Sequence, residues 1–139
     1  MQCIRYEYDV DGENFASTGH ASESVKRTLK QMGVPAASVR RVAIAMYEGE
    51  INMVIHAHGG KAIAEIYPDH IEITLKDSGP GIADIELAMQ AGYSTATDNI
   101  RSPGFGAGMG LPNMKKYSDE MRIESTVGVG TTVFLRINL

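Results

Sequence analysis

Four groups of residues in this chain join chemistry-bearing side chains to a usable spacing. Glu48, Asn52 and His56 recur at i, i+4 and i+8. On a helix that spacing drifts only about 40° per step, so a carboxylate, a carboxamide and an imidazole share one stripe. Val42, Ala43, Met46 and Met53 flank it, which places part of the stripe near a packed face. Polar groups there are costly unless a ligand, a metal or a polar cavity satisfies them. A solvated helix face with the same spacing is the alternative.

The second group is Asp77-Ser78-Gly79-Pro80-Gly81-Ile82. Asp77 has the parity of Ile71, Ile73 and Leu75, so its carboxylate continues an inward-facing row and needs a donor. Gly79 and Gly81 allow backbone to come close to something. An Asp capping the amides of its own turn would also account for this sequence. The third group, Gly104-Phe105-Gly106-Ala107-Gly108-Met109-Gly110-Leu111, opens onto a helix. Alternating glycines before a helix start can aim several N–H groups at one anion, a phosphate-binding arrangement. No Gly-Lys-Ser/Thr follows and no βαβ unit surrounds it, so it is neither a P-loop nor a dinucleotide fingerprint. The fourth group, Gly128-Val129-Gly130-Thr131, reads as a hairpin turn that can also aim Thr131 at a pocket.

The elements that must position these groups follow from periodicity. Ile4, Tyr6, Tyr8 and Val10 alternate with charged residues as a half-buried strand. Ala21, Val25, Leu29 and Met32 recur as a helix closed by Gly33, and a second helix runs from beyond Pro35 to about His58, stopped by Gly59-Gly60. Strands at Ala62 to Tyr67 and His70 to Asp77 turn through Pro68-Asp69. A short helix carries Ile82, Ile85, Ala88 and Met89, and an aperiodic stretch from Gly92 to Gly110 reads as a mobile loop. Pro112 suits the first turn of a helix with Met114 and Tyr117. A C-terminal hairpin pairs Met121, Ile123 and Ser125 with Val133, Leu135 and Ile137. The expected class is α+β: a two-layer sandwich, with a mixed sheet of about five strands packed on helices on one face. Residues 1–139 read as a single domain.

Composition narrows the function. A net charge of −4 without runs of like charge argues against nucleic acid or an anionic membrane as partner. No stretch reaches the ~18 apolar residues of a membrane span, and Arg5, Glu7 and Asp9 interrupt any secretory core at the N-terminus. Cys3 is the lone cysteine and reads as a structural thiol. The expected compartment is the cytoplasm.

In order, the four groups read Glu-x3-Asn-x3-His, Asp-x-Gly-x-Gly, Gly-x-Gly-x-Gly and Gly-x-Gly-Thr. They resemble the N, G1, G2 and G3 boxes of the GHKL ATPase superfamily, whose ATP-binding domain is the Bergerat fold; the resemblance covers roughly Arg40 to the C-terminus. Within it, Asp84 to Thr95 and Gly108-Met109-Gly110-Leu111-Pro112 resemble the two ends of the lid in the small anti-sigma-factor and switch serine/threonine kinases. The resemblance implies Mg²⁺ and ATP as cofactors. It gives Asn52 the Mg²⁺ against the ATP phosphates, Glu48 the attacking hydroxyl or water, and Asp77 the adenine amine. Gly79, Gly81 and Ile82 would line the ring and Thr131 would join through water. Gly106, Gly108 and Gly110 would carry the phosphates, with Met109 and Leu111 also in the ATP site. The implied partner is a STAS-like antagonist or scaffold protein, with a sigma factor and a second copy of the chain as further candidates.

Three departures stand out. Gly49 interrupts the N-box helix at a cost of about 1 kcal/mol in propensity. Ala107 stands where the kinases carry a basic residue, which leaves Arg101 as the nearest cation for a γ-phosphate. His56 is expected to play a structural part. A nucleotide-gated binding module without phosphotransfer is therefore the alternative to a kinase, and a histidine kinase is disfavoured because no dimerisation helix precedes the domain.

Overall fold

The computed structural model describes residues 3–11, 18–57, 59–82, 85, 89 and 110–139. Five strands form one sheet: β1 (Ile4–Asp11), β2 (Gly59–Ile66), β3 (His70–Lys76), β4 (Glu120–Thr126) and β5 (Gly130–Asn138). The helices among the described residues are α1 (His20–Gln31), α2 (Ala36–Ala57) and α3 (Gly110–Lys116). No helix among the described residues is long and apolar enough to cross a membrane.

The sheet order is β1-β2-β3-β5-β4, and all four pairings are antiparallel. The expected two-layer α+β sandwich is therefore present, but its sheet is antiparallel rather than mixed. The reason is local. Tight hairpins join β2 to β3 and β4 to β5, and β5 then pairs on the open edge of β3, so each neighbour runs the opposite way. Alternation along the strands sends Ala62, Ala64, Ile71, Ile73, Leu75, Val133, Leu135 and Ile137 to one face, where they meet Val25 and Leu29 of α1 and Val42, Met46 and Met53 of α2. Alanines at two of the β2 positions leave room for α2 to lie close over the sheet.

Two helix ends follow their local chemistry. Gly33, at φ 80°, closes α1: its N–H donates to the Lys30 carbonyl and the Val34 N–H to the Leu29 carbonyl, both at 3.1 Å. This is a Schellman termination, in which a left-handed residue satisfies two orphan carbonyls. At the C-terminal end of α2 the helix stops at Ala57, close to the expected His58, but β2 starts before the expected Ala62. Gly59 and Gly60 are its first residues and pair with Asp11 and Val10. A side chain on Gly60 would collide with the Lys76 carbonyl, so the missing Cβ is what lets β2 start there.

The short helix expected across Ile82 to Met89 falls mostly outside the described residues. The Met89 N–H does donate to the Ile85 carbonyl at 3.0 Å, the bond of one helical turn. Ile4 heads the edge strand and is 47% exposed, whereas Tyr6, Tyr8 and Val10 pack against the core as their alternation requires.

Candidate functional site

The α2 stripe is where the sequence placed it. Glu48 and Asn52 are half-buried, one turn apart on the helix. The Glu48 Oε1 accepts a hydrogen bond from the Asn113 Nδ2 of α3 at 3.3 Å. Burial raises the Glu48 carboxyl above the ordinary glutamate range, and the Asn113 bond only partly opposes that. A methyl group placed on Gly110 would lie 3.8 Å from both the Asn52 Oδ1 and the Glu48 Oε2. The start of α3 thus comes within van der Waals reach of both the carboxylate and the carboxamide.

Gly49 has a physical reason. A Cβ there would run into the Leu75 Cδ1 of β3, so the glycine lets α2 sit down on the sheet and fixes the depth of its neighbours. The close approach is made by the protein's own core.

Asp77 follows β3 directly, and the pairing of β3 with β5 sets it opposite Thr131. Its Oδ1 accepts from the Gly79 N–H at 3.0 Å and the Thr131 N–H at 3.1 Å, while its own N–H donates to the Thr131 carbonyl at 2.9 Å. The turn-capping alternative is therefore true of one oxygen. The Oδ2 has no hydrogen bond among the described residues, which leaves it for an outside donor. Thr131 is buried, and its hydroxyl pairs with the Ser125 Oγ at 2.8 Å. Ser125 in turn accepts from the Ile82 N–H at 2.7 Å.

The glycines of the two loops pack backbone on backbone. A Cβ on Gly81, at φ 80°, would sit 2.5 Å from the Thr126 carbonyl oxygen, and one on Gly130 would collide with the Asp77 carbonyl. The Gly128 N–H also donates to the Pro80 carbonyl at 2.8 Å. The Asp77-to-Gly81 loop and the β4–β5 turn are thus one interlocked unit. Leu111, buried at the start of α3, belongs to the hydrophobic core.

Arg101, Gly106, Gly108 and Met109 lie outside the described residues, as does the His56 side chain. Two residues not among the expected site residues, Asn113 and Ser125, also shape the site. Asn113 holds Glu48, and Ser125 links Ile82 to Thr131. Glu50 is 1% exposed on the other side of α2. Its Oε2 accepts from the N–H groups of Gly19 (2.9 Å) and Ala21 (3.4 Å), and its Oε1 from that of Ser22 (2.6 Å). Gly19 offers no side chain to cap α1, so Glu50 supplies the cap from another helix. Ser125 was readable as the one hydroxyl on the inward row of β4. Asn113 and Glu50 had no local signal.

Comparison with known proteins bears on the fold and the family. An anti-sigma F factor of Caldanaerobacter subterraneus subsp. tengcongensis is 34% identical over 138 residues, 96% of this chain and 90% of that protein. An anti-sigma F factor of Halalkalibacterium halodurans is 35% identical over 106 residues, 76% of this chain but 66% of that protein. The serine/threonine-protein kinase RsbT of Bacillus subtilis is 30% identical over 112 residues, 78% of each chain. Among solved structures, the RsbU and RsbW domains of a Mycobacterium tuberculosis protein match with a TM-score of 0.60 at 13% identity. That match covers 96% of this chain and 32% of the other. The mycobacterial sensor histidine kinase MprB matches with a TM-score of 0.54 at 15% identity over 97% of both chains. These two likenesses show the fold. The family model for histidine kinase-, DNA gyrase B- and HSP90-like ATPases matches residues 38–139, and with relatives of this identity and coverage the chain belongs to that ATPase family.

Proposed function

We propose that this chain binds Mg-ATP between α2, the Asp77-to-Gly81 loop and the start of α3, and transfers the γ-phosphoryl group to a serine or threonine hydroxyl of a small STAS-like regulatory protein. The observation that carries this reading is the meeting of Glu48, Asn52 and Gly110. A half-buried carboxylate with a raised proton affinity, held by one weak side-chain donor, suits a general base. The family supports ATP as the nucleotide. Relatives named as anti-sigma F factors and as a serine/threonine-protein kinase support a protein hydroxyl as acceptor and a place in sigma-factor control. The STAS-like partner rests on the resemblance of the lid motifs.

The donor set fits the metal. Asn52 offers a hard carboxamide oxygen, and no group of three metal-ligating side chains exists among the described residues to hold a cation without the nucleotide. Mg²⁺ bound through Asn52 and the ATP phosphates would supply charge neutralisation. In the transfer, the acceptor oxygen attacks the γ-phosphorus, the bond to the β-phosphate oxygen breaks, and ADP leaves with that electron pair. Glu48 receives the hydroxyl proton. Asp77 would accept the adenine amine at its open oxygen, while Gly79 and Thr131 keep the other oxygen fixed.

The test is Glu48→Gln, which keeps shape and hydrogen bonding but cannot take a proton. Transfer of radiolabelled γ-phosphate to a purified STAS-domain protein of the same organism is expected to fall about 10²–10⁴-fold with ATP affinity retained. ATP binding without transfer by the wild type, to any such protein, would instead establish a nucleotide-gated binding module.

A further inference from the structure

We infer that the groove between α1 and α2 is a docking site for an acidic, amphipathic helix of a partner protein. Its two walls are stripes at helical spacing. Arg40, Ala43, Ile44 and Tyr47 stand at i, i+3, i+4 and i+7 on α2, and Lys26 and Lys30 stand at i and i+4 on α1. Two open depressions of about 600 and 440 Å³ lie between them and share Lys26, Ala43 and Ile44, so they adjoin along α1 as one shallow groove. At the open side Tyr47 is 39% exposed. Averaged over its four residues the stripe points roughly 90° around α2 from Glu48 and roughly 130° from Asn52, with Ile44 one turn before Glu48, so an occupant centred on Ala43 and Tyr47 would leave the nucleotide site clear.

Charge selects the occupant. Among the described residues, Lys26, Lys30 and Arg40 form no ion pair and Glu23 is the one acid in the lining. Three cations beside an apolar floor, on a chain whose net charge is −4, make a local field that favours carboxylates. The twelve residues of α1 span about 18 Å, which matches three turns of a bound helix. Such a helix would seat apolar side chains at i, i+3, i+4 and i+7 in the groove and present Glu or Asp to the cations. The walls are preformed, because Glu50 holds the start of α1 on α2 and the Gly33 termination fixes its end. An occupant would meet a site already ordered, which lowers the cost of binding.

This inference does not depend on phosphotransfer. The probe is a fluorescein-labelled amphipathic peptide of about 16 residues, with leucines on one stripe and glutamates on its flank. Anisotropy with the full chain is expected to show saturable binding. The double variant Lys26→Glu/Lys30→Glu should weaken it at least about tenfold, with ATP affinity unchanged. Ile44→Asp should weaken it by removing the apolar floor. Absence of saturable binding, equal binding of a lysine-flanked version of the peptide, or equal binding by the double variant would each overturn the assignment. Self-association abolished by the double variant would give the groove to a second copy of the chain, and binding to phosphatidylglycerol vesicles in place of the peptide would give it to a membrane. Either outcome also overturns it.

Discussion

Glu48 and Glu50 sit two residues apart on the same helix and do opposite things. Glu50 is buried with both oxygens occupied: three backbone N–H groups, of the N-cap Gly19 and of Ala21 and Ser22 in α1, donate to it. Glu48 is half-buried with one oxygen held by a side-chain amide at 3.3 Å, and its carboxyl resists ionisation more than an ordinary glutamate does. Asp77 lies between these extremes, with two N–H groups on its Oδ1 and none among the described residues on its Oδ2. The three carboxylates form a series in how far the protein satisfies them. A carboxylate saturated by backbone holds structure, whereas one left short of donors in a partly dry place is kept for something that arrives later.

The sharpest way to break this comparison is to truncate both glutamates. Glu50→Ala leaves three N–H groups at the start of α1 without a partner and opens a cavity behind them. Its expected cost is about 3–5 kcal/mol, the range for removing one side of a buried charged interaction. Glu48→Ala should change stability by less than about 1 kcal/mol, since it removes one long hydrogen bond and relieves a desolvated charge. Urea denaturation of both variants measures the difference. Equal losses would mean that Glu48 is as structural as Glu50, and the division drawn here would be wrong.

The series also marks how much could be read from residue order. Glu48 and Asn52 were legible because a helix stripe is a local pattern, and the inward parity of Asp77 because a strand alternates; its pairing with Thr131 came only from the β3–β5 register. Gly33 announced its helix end by type alone. Glu50 was illegible. Its donors lie 28 to 31 residues away, and nothing around it signals that a second helix will arrive with an uncapped end. Gly49 looked like a fault in the helix until Leu75 was seen against it. Likewise, the glycines at 81 and 130 fit a ligand-facing loop as readily as the interlocking turns that occupy their missing side chains. Sequence carried the periodic contacts; contacts across elements needed the fold.

The middle member of the series gives a smaller and more selective effect. If the Asp77 Oδ2 receives the adenine amine, the wild type should prefer ATP over GTP by at least about tenfold, or about 1.4 kcal/mol, because guanine presents an acceptor oxygen at that position. Asp77→Ala should lose most of this preference, but it also frees the Gly79 and Thr131 amides. Asp77→Asn is therefore the cleaner probe. Its carbonyl can keep both amides while its NH₂ faces the pocket, where it repels an amine and suits a carbonyl. The preference should shrink or reverse towards GTP. Competition of the two nucleotides against a fluorescent ATP analogue reads this out, and equal affinities in the wild type would leave Asp77 as a turn cap alone.

The smallest effect is the pH dependence that Glu48 contributes. For a carboxyl whose proton affinity rises on folding, the folded state binds the proton more tightly than the unfolded state. Its contribution to stability is then fully present below the unfolded-chain value, near pH 4.3, and is lost as pH rises through the higher folded value. Above that range the wild type carries an ionised carboxylate in a place that disfavours charge. Glu48→Gln cannot ionise, so it should be the more stable of the two at pH 7, and the difference should disappear towards pH 4. Because the side chain is only half-buried, solvent screening keeps the gain small, and paired thermal melts in matched buffers are needed to see it. Binding of Mg-ATP would add negative charge beside Glu48 and widen the gap at neutral pH. A Glu48→Gln protein that is less stable than wild type at pH 7 would show that the ionised carboxylate is welcome in the apo fold. Glu48 would then join Glu50 as a carboxyl with a structural role, and the case for it as a base held in reserve would fail.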